Sequence, residues 1–322
     1  MTSSTLRMKR FLFIGPTGVG KSTLINMLYN NSVSKLSLLK PAATSEGSSG
    51  STAYFTTYYN FPDSAFTDSI GFGDNRFEKE HIFSLLKAIV KNSMVGYNKI
   101  YLCMNYGRVS SEVRYYMELL SVIFGDKIFK WCSIVFTHCN DQKMAKASYI
   151  TLNQNDKYII DSINRVQNVI FGDNMTDDDE EMERILIKRR QYLLDNLQED
   201  MKNSNADYYI PQPENWIEWV KSIFFMITMR FVNPMKTCFQ EIEKVSGAVV
   251  DMMSQKNFAN YYGKCTICLN DMWNTDSAYT KCNHVFHEAC INQWVANNSH
   301  TCPNCRSPWD MKDSVFKALH FD

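Results

Sequence analysis

The chain has 322 residues, enough for about two domains. It carries 34 Lys plus Arg against 34 Asp plus Glu, and this neutral balance argues against the basic surface of a dedicated nucleic-acid binder. Met1 to Arg10 is polar and the apolar run Phe11 to Ile14 is short, which predicts no secretory signal.

The first element in chain order is Phe11-Leu-Phe-Ile14, an apolar run read as a strand. It leads into Gly15-x-x-x-x-Gly20-Lys21-Ser22-Thr23, and a helical pattern follows with Leu24, Ile25, Met27 and Leu28. Strand, glycine-rich loop and helix together are the setting a P-loop requires. Gly15, Gly18 and Gly20 let backbone N–H groups converge on phosphate oxygens, and the helix N-terminus adds its partial positive charge. Lys21 supplies charge at the β and γ phosphates, Ser22 offers a hydroxyl to Mg²⁺, and Thr23 completes the set.

The next segment, Pro41 to Ala53, is rich in small polar residues and reads as a mobile loop. A first switch belongs there. Thr52 is the residue expected to close on Mg²⁺ because it leads directly into the extended stretch Ala53 to Tyr59; Thr44 is the other choice, and an ordinary loop threonine is the plain reading of either. A second strand, Ala65 to Thr67, ends in Asp68-Ser-Ile-Gly71. In GTPases such an Asp holds Mg²⁺ through water, and such a Gly amide senses the γ-phosphate.

Further apolar runs at Ile100 to Met104, Ser133 to Phe136 and Asn168 to Phe171 continue a parallel sheet. Helical patterns such as Glu80 to Lys91 and Ser111 to Phe124 lie between them. The expectation is an α/β domain with its phosphate motifs at the strand C-terminal ends. Along it run Asn105-Tyr-Gly-Arg-Val-Ser-Ser-Glu112, then Phe124-Gly125, then Phe136-Thr137-His138-Cys-Asn-Asp141. These boxes, in this order, resemble the immunity-associated (GIMAP type) GTPases, relatives of septins and of the chloroplast import receptor GTPases. The resemblance covers roughly residues 9 to 200 and implies GTP with Mg²⁺ as ligand, with Thr137, His138 and Asp141 near the base.

Two positions depart from the GTPase pattern. The usual base-recognition motif ends in an Asp that accepts two hydrogen bonds from guanine, and Asn140 stands there, followed by Asp141. An amide offers one acceptor and one donor group in place of two acceptors. Either Asp141 takes the base, or it only caps the next helix. Phe72 follows Gly71 where Ras-like enzymes carry a Gln that positions water. Slow hydrolysis follows, or dependence on a partner; the resembled family often pairs through its nucleotide faces, which implies a homodimer there. Asn174 is a further candidate for the base, or a simple turn residue.

The acidic run Asp177 to Glu181 suits a helix start. Met182 to Asn257 reads as two or three helices broken at Pro211, Pro213 and Pro234. The most apolar of these patterns, Trp216 to Val232, holds Glu218, Lys221 and Arg230; its longest uncharged run, Ser222 to Met229, is eight residues, against the ~20 that span a bilayer. It predicts a helix packed on the first domain, with a membrane-surface helix as the alternative, and no transmembrane segment.

Near the C-terminus stand Cys265, Cys268, Cys282, His284, His287, Cys290, Cys302 and Cys305, two outer C-x-x-C pairs around a C-x-H-x-x-H-x-x-C centre. Zn²⁺ takes four Cys or His ligands in closed structural sites, so eight ligands predict two Zn²⁺ ions that build a fold. Such a cluster of thiols points to a reducing, cytoplasmic setting. Cys103, Cys132, Cys139 and Cys238 lie in apolar segments or beside a motif, and most read as buried thiols. Thirteen residues separate Cys268 from Cys282 and eleven separate Cys290 from Cys302. The pattern resembles the RING finger in its two-histidine form. That resemblance implies interleaved (cross-brace) sites, Cys265, Cys268, His287 and Cys290 in one and Cys282, His284, Cys302 and Cys305 in the other. It implies a groove at Ile267, Trp294 and Pro303 that docks a ubiquitin-conjugating enzyme, and Arg306 as the cation that contacts ubiquitin.

The expected organisation is a P-loop GTPase-like α/β domain (9–180), a helical extension (181–258), a small zinc-bound RING domain (261–309) and a tail (310–322). The function expected is a RING-type ubiquitin ligase acting on an unidentified protein, its nucleotide domain serving regulation, assembly or target recruitment. The alternative is a nucleotide-switched scaffold whose RING only binds other proteins. Ile267→Ala and Trp294→Ala separate the two, since under the scaffold reading neither changes conjugation.

Overall fold

The computed structural model describes residues 8–35, 55–60, 62–69, 71, 79–107, 110–228, 242, 246–248, 250–251, 261–273, 275–297, 301–308 and 315–317. Thr44, Thr52, Phe72 and Cys238 lie outside them.

The first unit is a six-stranded sheet: β1 (Lys9–Ile14), β2 (Phe55–Asn60), β3 (Ser64–Ser69), β4 (Lys99–Asn105), β5 (Cys132–Thr137) and β6 (Asn168–Phe171), in the order β2-β3-β1-β4-β5-β6. Every pairing is parallel except the β2–β3 hairpin at one edge. The alternation within β1 shows how the sheet is covered. Leu12 and Ile14 enter the core on one face; Phe11 and Phe13 enter the core on the other. The first face is packed by α2 (Lys79–Val95), α3 (Ser110–Phe124), α5 (Lys157–Arg165) and α7 (Trp216–Thr228). The second face is packed by α1 (Lys21–Asn30) and α6 (Glu180–Lys202). A short α4 (Lys146–Leu152) precedes α5. The five apolar runs of the sequence are the five parallel strands, as a doubly covered sheet demands.

The acidic run starts α6 as expected: Asp179 caps it, accepting from the Glu181 and Met182 N–H groups at 3.1 and 2.9 Å. The apolar segment at Trp216 is α7, a helix whose inner face packs against α2 and α3, with the Trp219 indole N–H donating to the Ile123 carbonyl at 2.9 Å. Among the described residues no helix is long and apolar enough to cross a membrane. Cys103, Cys132 and Cys139 are buried thiols.

At the N-terminal ends of β4 to β6 sits a buried polar knot. Lys99 pairs with Asp200 of α6 at 3.0 Å and donates to Gln167 at 2.7 Å. Asp200 also accepts from Ser133 and Asn168. Burial lowers the Lys99 pKa, and Asp200 opposes that shift. On the other side of α6, fully buried Arg190 reaches Glu183 and the carbonyls of Val33 and Met175.

The second unit is small. It holds a hairpin of β7 (Tyr261–Lys264) and β8 (Asp271–Trp273), and a three-stranded sheet of β9 (Ser277–Thr280), β10 (Val285–His287) and β11 (Val315–Lys317) in the order β10-β9-β11. One helix, α8 (Glu288–Ala296), packs on it. It sits on the hairpin edge of the large sheet. Tyr59 and Ala65 share a buried cluster with Tyr262, and the Tyr59 and Tyr262 rings meet edge to face at 5.2 Å.

Candidate metal centres and nucleotide site

The phosphate loop follows β1, at the point where the chain's strand order reverses. Gly20 has φ +83°, and a Cβ there would lie 1.9 Å from the Asn174 amide nitrogen. Only glycine fits both the left-handed backbone and that approach. Gly71 is as constrained, since a Cβ would stand 2.2 Å from the Thr17 backbone nitrogen, so the D-x-x-G turn lies directly on the P-loop. Gly15 and Gly18 complete the loop at positive φ, and Thr23 continues α1.

Lys21 is buried and donates to the Gly15 and Pro16 carbonyls at 2.9 and 2.8 Å. Burial lowers its pKa, and the nearby Asp68 charge works against that shift. Ser22 donates to Asp68 Oδ2 at 2.6 Å, bringing the two Mg²⁺ candidates together. Burial raises the Asp68 pKa, opposed by Lys21 and by the Ser22 hydrogen bond. Its other oxygen, Oδ1, is buried without a hydrogen-bond partner among the described residues. An orphaned carboxylate oxygen beside a hydroxyl fits a hard cation with oxygen ligands.

The base-recognition candidates lie at the ends of β5 and β6. Thr137 Oγ1 is 2.9 Å from the Val19 carbonyl of the P-loop and 3.1 Å from that of Met104. His138 takes φ +56° and its Nδ1 lies 2.6 Å from Asn105 Oδ1. The Cys139 N–H donates to the Gly172 carbonyl at 3.0 Å, joining this loop to the one after β6. Asp141 is exposed and accepts from the Lys143 N–H at 2.9 Å. That contact closes a turn; the residue at the cap of α4 is Ala145. Asn174 is buried, donates to the Gly20 carbonyl at 3.3 Å, and leaves Oδ1 without a partner among the described residues. A buried acceptor of that kind asks for a donor.

In the small unit the eight Cys and His residues gather into two tetrads, Cys265, Cys268, His287, Cys290 and Cys282, His284, Cys302, Cys305, the ligand atoms of each within 4.8 Å of one another. Four ligands ~2.3 Å from one ion stand about 3.8 Å apart, so both tetrads fit Zn²⁺. The sites interleave: the first C-x-x-C pair joins the second half of the centre, and the second pair joins the first half. His287 turns Nδ1 to Cys268 at 3.2 Å and Nε2 to the Asp271 carbonyl at 3.1 Å. His284 turns Nδ1 to Cys282 and Cys302 at 3.4 and 3.5 Å.

Each C-x-x-C pair is built on the same backbone turn. Cys265 N–H donates to the Asn270 carbonyl and Leu269 N–H to the Cys265 carbonyl; Cys302 N–H donates to the Ser307 carbonyl and Arg306 N–H to the Cys302 carbonyl. Leu269 and Arg306, at φ +63° and +58°, hold equivalent places in the two turns. The Asn270 backbone N–H, ahead of the side-chain ligands, lowers the Cys268 thiol to about 7. Such a thiol is ready to bind metal as thiolate.

Ile267 lies on the first turn and Pro303 on the second, and the turns are tied by Thr266 Oγ1 donating to Asn304 Oδ1 at 2.6 Å. Trp294 comes from α8 and its indole N–H donates to the Thr301 carbonyl at 2.9 Å. Ile267 and Trp294 pack at the margin of the small unit's core, and Arg306 is exposed.

Two family models match this chain. Residues 263–306 match the ring finger domain, of the zf-RING_2 type. Over short stretches the chain is similar to E3 ubiquitin-protein ligase trul-1 of Caenorhabditis elegans (32% identity over 71 residues, 22% of this chain and 15% of the relative). It is also similar to RING-H2 finger protein ATL3 of Arabidopsis thaliana (46% over 46 residues, 14% of each). A third relative is E3 ubiquitin-protein ligase Godzilla of Drosophila melanogaster (35% over 54 residues, 16% of this chain and 10% of the relative). The chain thus spans less than a quarter of each relative's length. Among solved structures it is similar to a dimerization-deficient mutant of Toc33 from Arabidopsis thaliana (TM-score 0.41, 15% identity, 70% of this chain and 86% of that one). Residues 9–218 match the AIG1 family, so this chain, with a RING finger near its C-terminus, belongs to the AIG1 family.

Proposed function

We propose that this protein is a RING-type ubiquitin ligase with a guanine-nucleotide-binding domain in the same chain. The observation that carries the reading is the pair of interleaved tetrads with Ile267, Pro303 and Trp294 on the pieces that the tetrads hold. Zinc, when bound, supplies structure: it locks both turns and α8 in one small unit. The chain's own residues then do the work. Ile267, Trp294 and Pro303 offer an apolar groove to a ubiquitin-conjugating enzyme. Arg306 reaches from its turn toward ubiquitin, where a planar guanidinium bonds two carbonyls at once. No nucleophile is needed from this chain, because holding the charged conjugate in a reactive pose accelerates transfer by orientation.

The nucleotide site belongs to the same proposal. Lys21 and the P-loop amides hold the phosphates, Ser22 and Asp68 hold Mg²⁺, Thr52 closes from the first switch, and Gly71 reads the γ-phosphate. Thr137, His138, Asp141 and Asn174 surround the base, and two copies pair through this face. The test is a conjugation assay with several conjugating enzymes, with calorimetry against GTP, ATP and XTP at matched Mg²⁺. Chains that disappear in Ile267→Ala and Trp294→Ala support the ligase. Equal chain formation in both variants, or equal weak binding of all three nucleotides, refutes the corresponding half.

A further inference from the structure

Among the described residues, α1, the β2–β3 hairpin and α2 all touch the small unit, and the first two also carry residues of the nucleotide site. α1 starts at Lys21 and Ser22; eight residues past Lys21, about 12 Å away, its last turn bears Tyr29, whose hydroxyl donates to the carbonyl of the zinc ligand Cys282 at 3.3 Å. The β2–β3 hairpin carries Asp68 near one end, and Tyr59 and Ala65 at the other pack on Tyr262. α2 is the first helix after Gly71 among the described residues, and in its last two turns Lys91 pairs with the Asp271 carboxylate while Val95 packs on Tyr261.

Asp271 is the joint. Its carboxylate takes Lys91 and, at 3.2 Å, the Tyr261 hydroxyl; its carbonyl accepts from His287 Nε2, with Asp276 Oδ2 a further 3.7 Å neighbour of that nitrogen. The hydrogen bond on Nε2 leaves Nδ1 to face the metal. So α2 steadies the first tetrad, and α1, the helix leaving the P-loop, steadies the second.

We infer that Lys91 and Tyr29 are positioning residues through which the nucleotide-binding domain holds the RING's two metal centres, so that nucleotide occupancy sets how firmly the RING keeps its zinc. This rests on the function proposed above and names the regulation of that site. In this scheme bound phosphate and Mg²⁺ tighten the D-x-x-G turn against the P-loop, where Gly71 already abuts Thr17, and the packed helices and hairpin carry that restraint to the tetrads.

The experiment uses the full-length chain loaded with zinc. Transfer of zinc to a chromogenic chelator is timed without nucleotide, with Mg-GDP and with a Mg-GTP analogue, and affinity for the analogue is measured in parallel by calorimetry. In the unaltered chain the analogue should change the transfer rate about fivefold or more. Lys91→Met and Tyr29→Phe should each release zinc about tenfold faster, and the double variant should do so at one rate in every nucleotide state while still binding the analogue. Asp271→Asn can stand in for Lys91→Met in that double variant, because it weakens the Lys91 pair and keeps the carbonyl on His287. Analogue bound with no change in zinc transfer overturns this inference and leaves the proposed ligase and nucleotide site standing. Nucleotide dependence that survives undiminished in the double variant overturns it too. Absence of analogue binding refutes both it and the nucleotide half of the proposed function.

Discussion

Arg306 and Leu269 sit at left-handed backbone positions in matching metal-binding turns. A side chain there costs about 1–2 kcal/mol relative to glycine, and this gives Arg306 a sharp test. Arg306→Gly should retain zinc as well as the unaltered chain while lowering ubiquitin-chain formation as much as Arg306→Ala does. Zinc content by atomic absorption beside a gel of conjugates checks it; equal activity in Arg306→Gly removes the guanidinium from the mechanism. Asp68 gives a pH test. Its raised pKa means the carboxylate is lost above the ordinary Asp value near 3.9 as pH falls. Being raised, the shift means the charged form costs folding stability, so protonation relieves the fold while it removes the proposed Mg²⁺ ligand. Mg²⁺-dependent nucleotide affinity should therefore fall on acidification before overall stability does, and Asp68→Asn should flatten that dependence. The zinc ligands were legible in the sequence because their spacing is itself the chemistry. The buried charges Lys99 and Arg190 were not, since charged side chains are ordinarily placed at the surface unless a partner distant in sequence is known. Asn174 reads in the sequence as a turn residue or a base contact; its approach to Gly20 is a long-range contact that no local pattern carries.

At the scale of elements, the five parallel strands and the helices Glu80 to Lys91 and Ser111 to Phe124 were readable because a doubly covered sheet demands continuous apolar runs. The stretch before Tyr59 reads only as extended; its antiparallel pairing with β3 is fixed by the three residues between them. α7 was readable as a packed helix from its charges. Trp219 pins it, with its indole N–H on Ile123 and its ring in the core. Trp219→Ala should destabilise the first unit by about 3–5 kcal/mol, measured as a lower urea midpoint. Trp219→Phe should lose less, since it keeps the ring and drops the hydrogen bond. A midpoint unchanged in Trp219→Ala would mean that α7 adds nothing to the larger core.

For the whole molecule, the placement of the RING on the hairpin edge was not legible, because Tyr29, Tyr59, Lys91 and Tyr262 are ordinary residues in their own segments. Their meeting has a thermodynamic corollary. If nucleotide alters the equilibrium affinity for zinc, zinc alters nucleotide affinity by the same factor. Strong chelation should leave residues 9–218 protease-resistant and able to bind nucleotide, at an affinity shifted by that factor, while the segment from Tyr261 onward becomes cleavable.

The last strand bears on how this protein is handled at the bench. β11 hydrogen-bonds along β9, through the register Val315 to Thr280, Phe316 to Tyr279 and Lys317 to Ala278. A fragment trimmed just past Cys305, the obvious cut from the cysteine pattern, would bare that row of amides and carbonyls. Unsatisfied strand edges recruit other chains. Such a fragment should therefore clump in a concentration-dependent way even when fully metallated, and expression designs should run through Lys317.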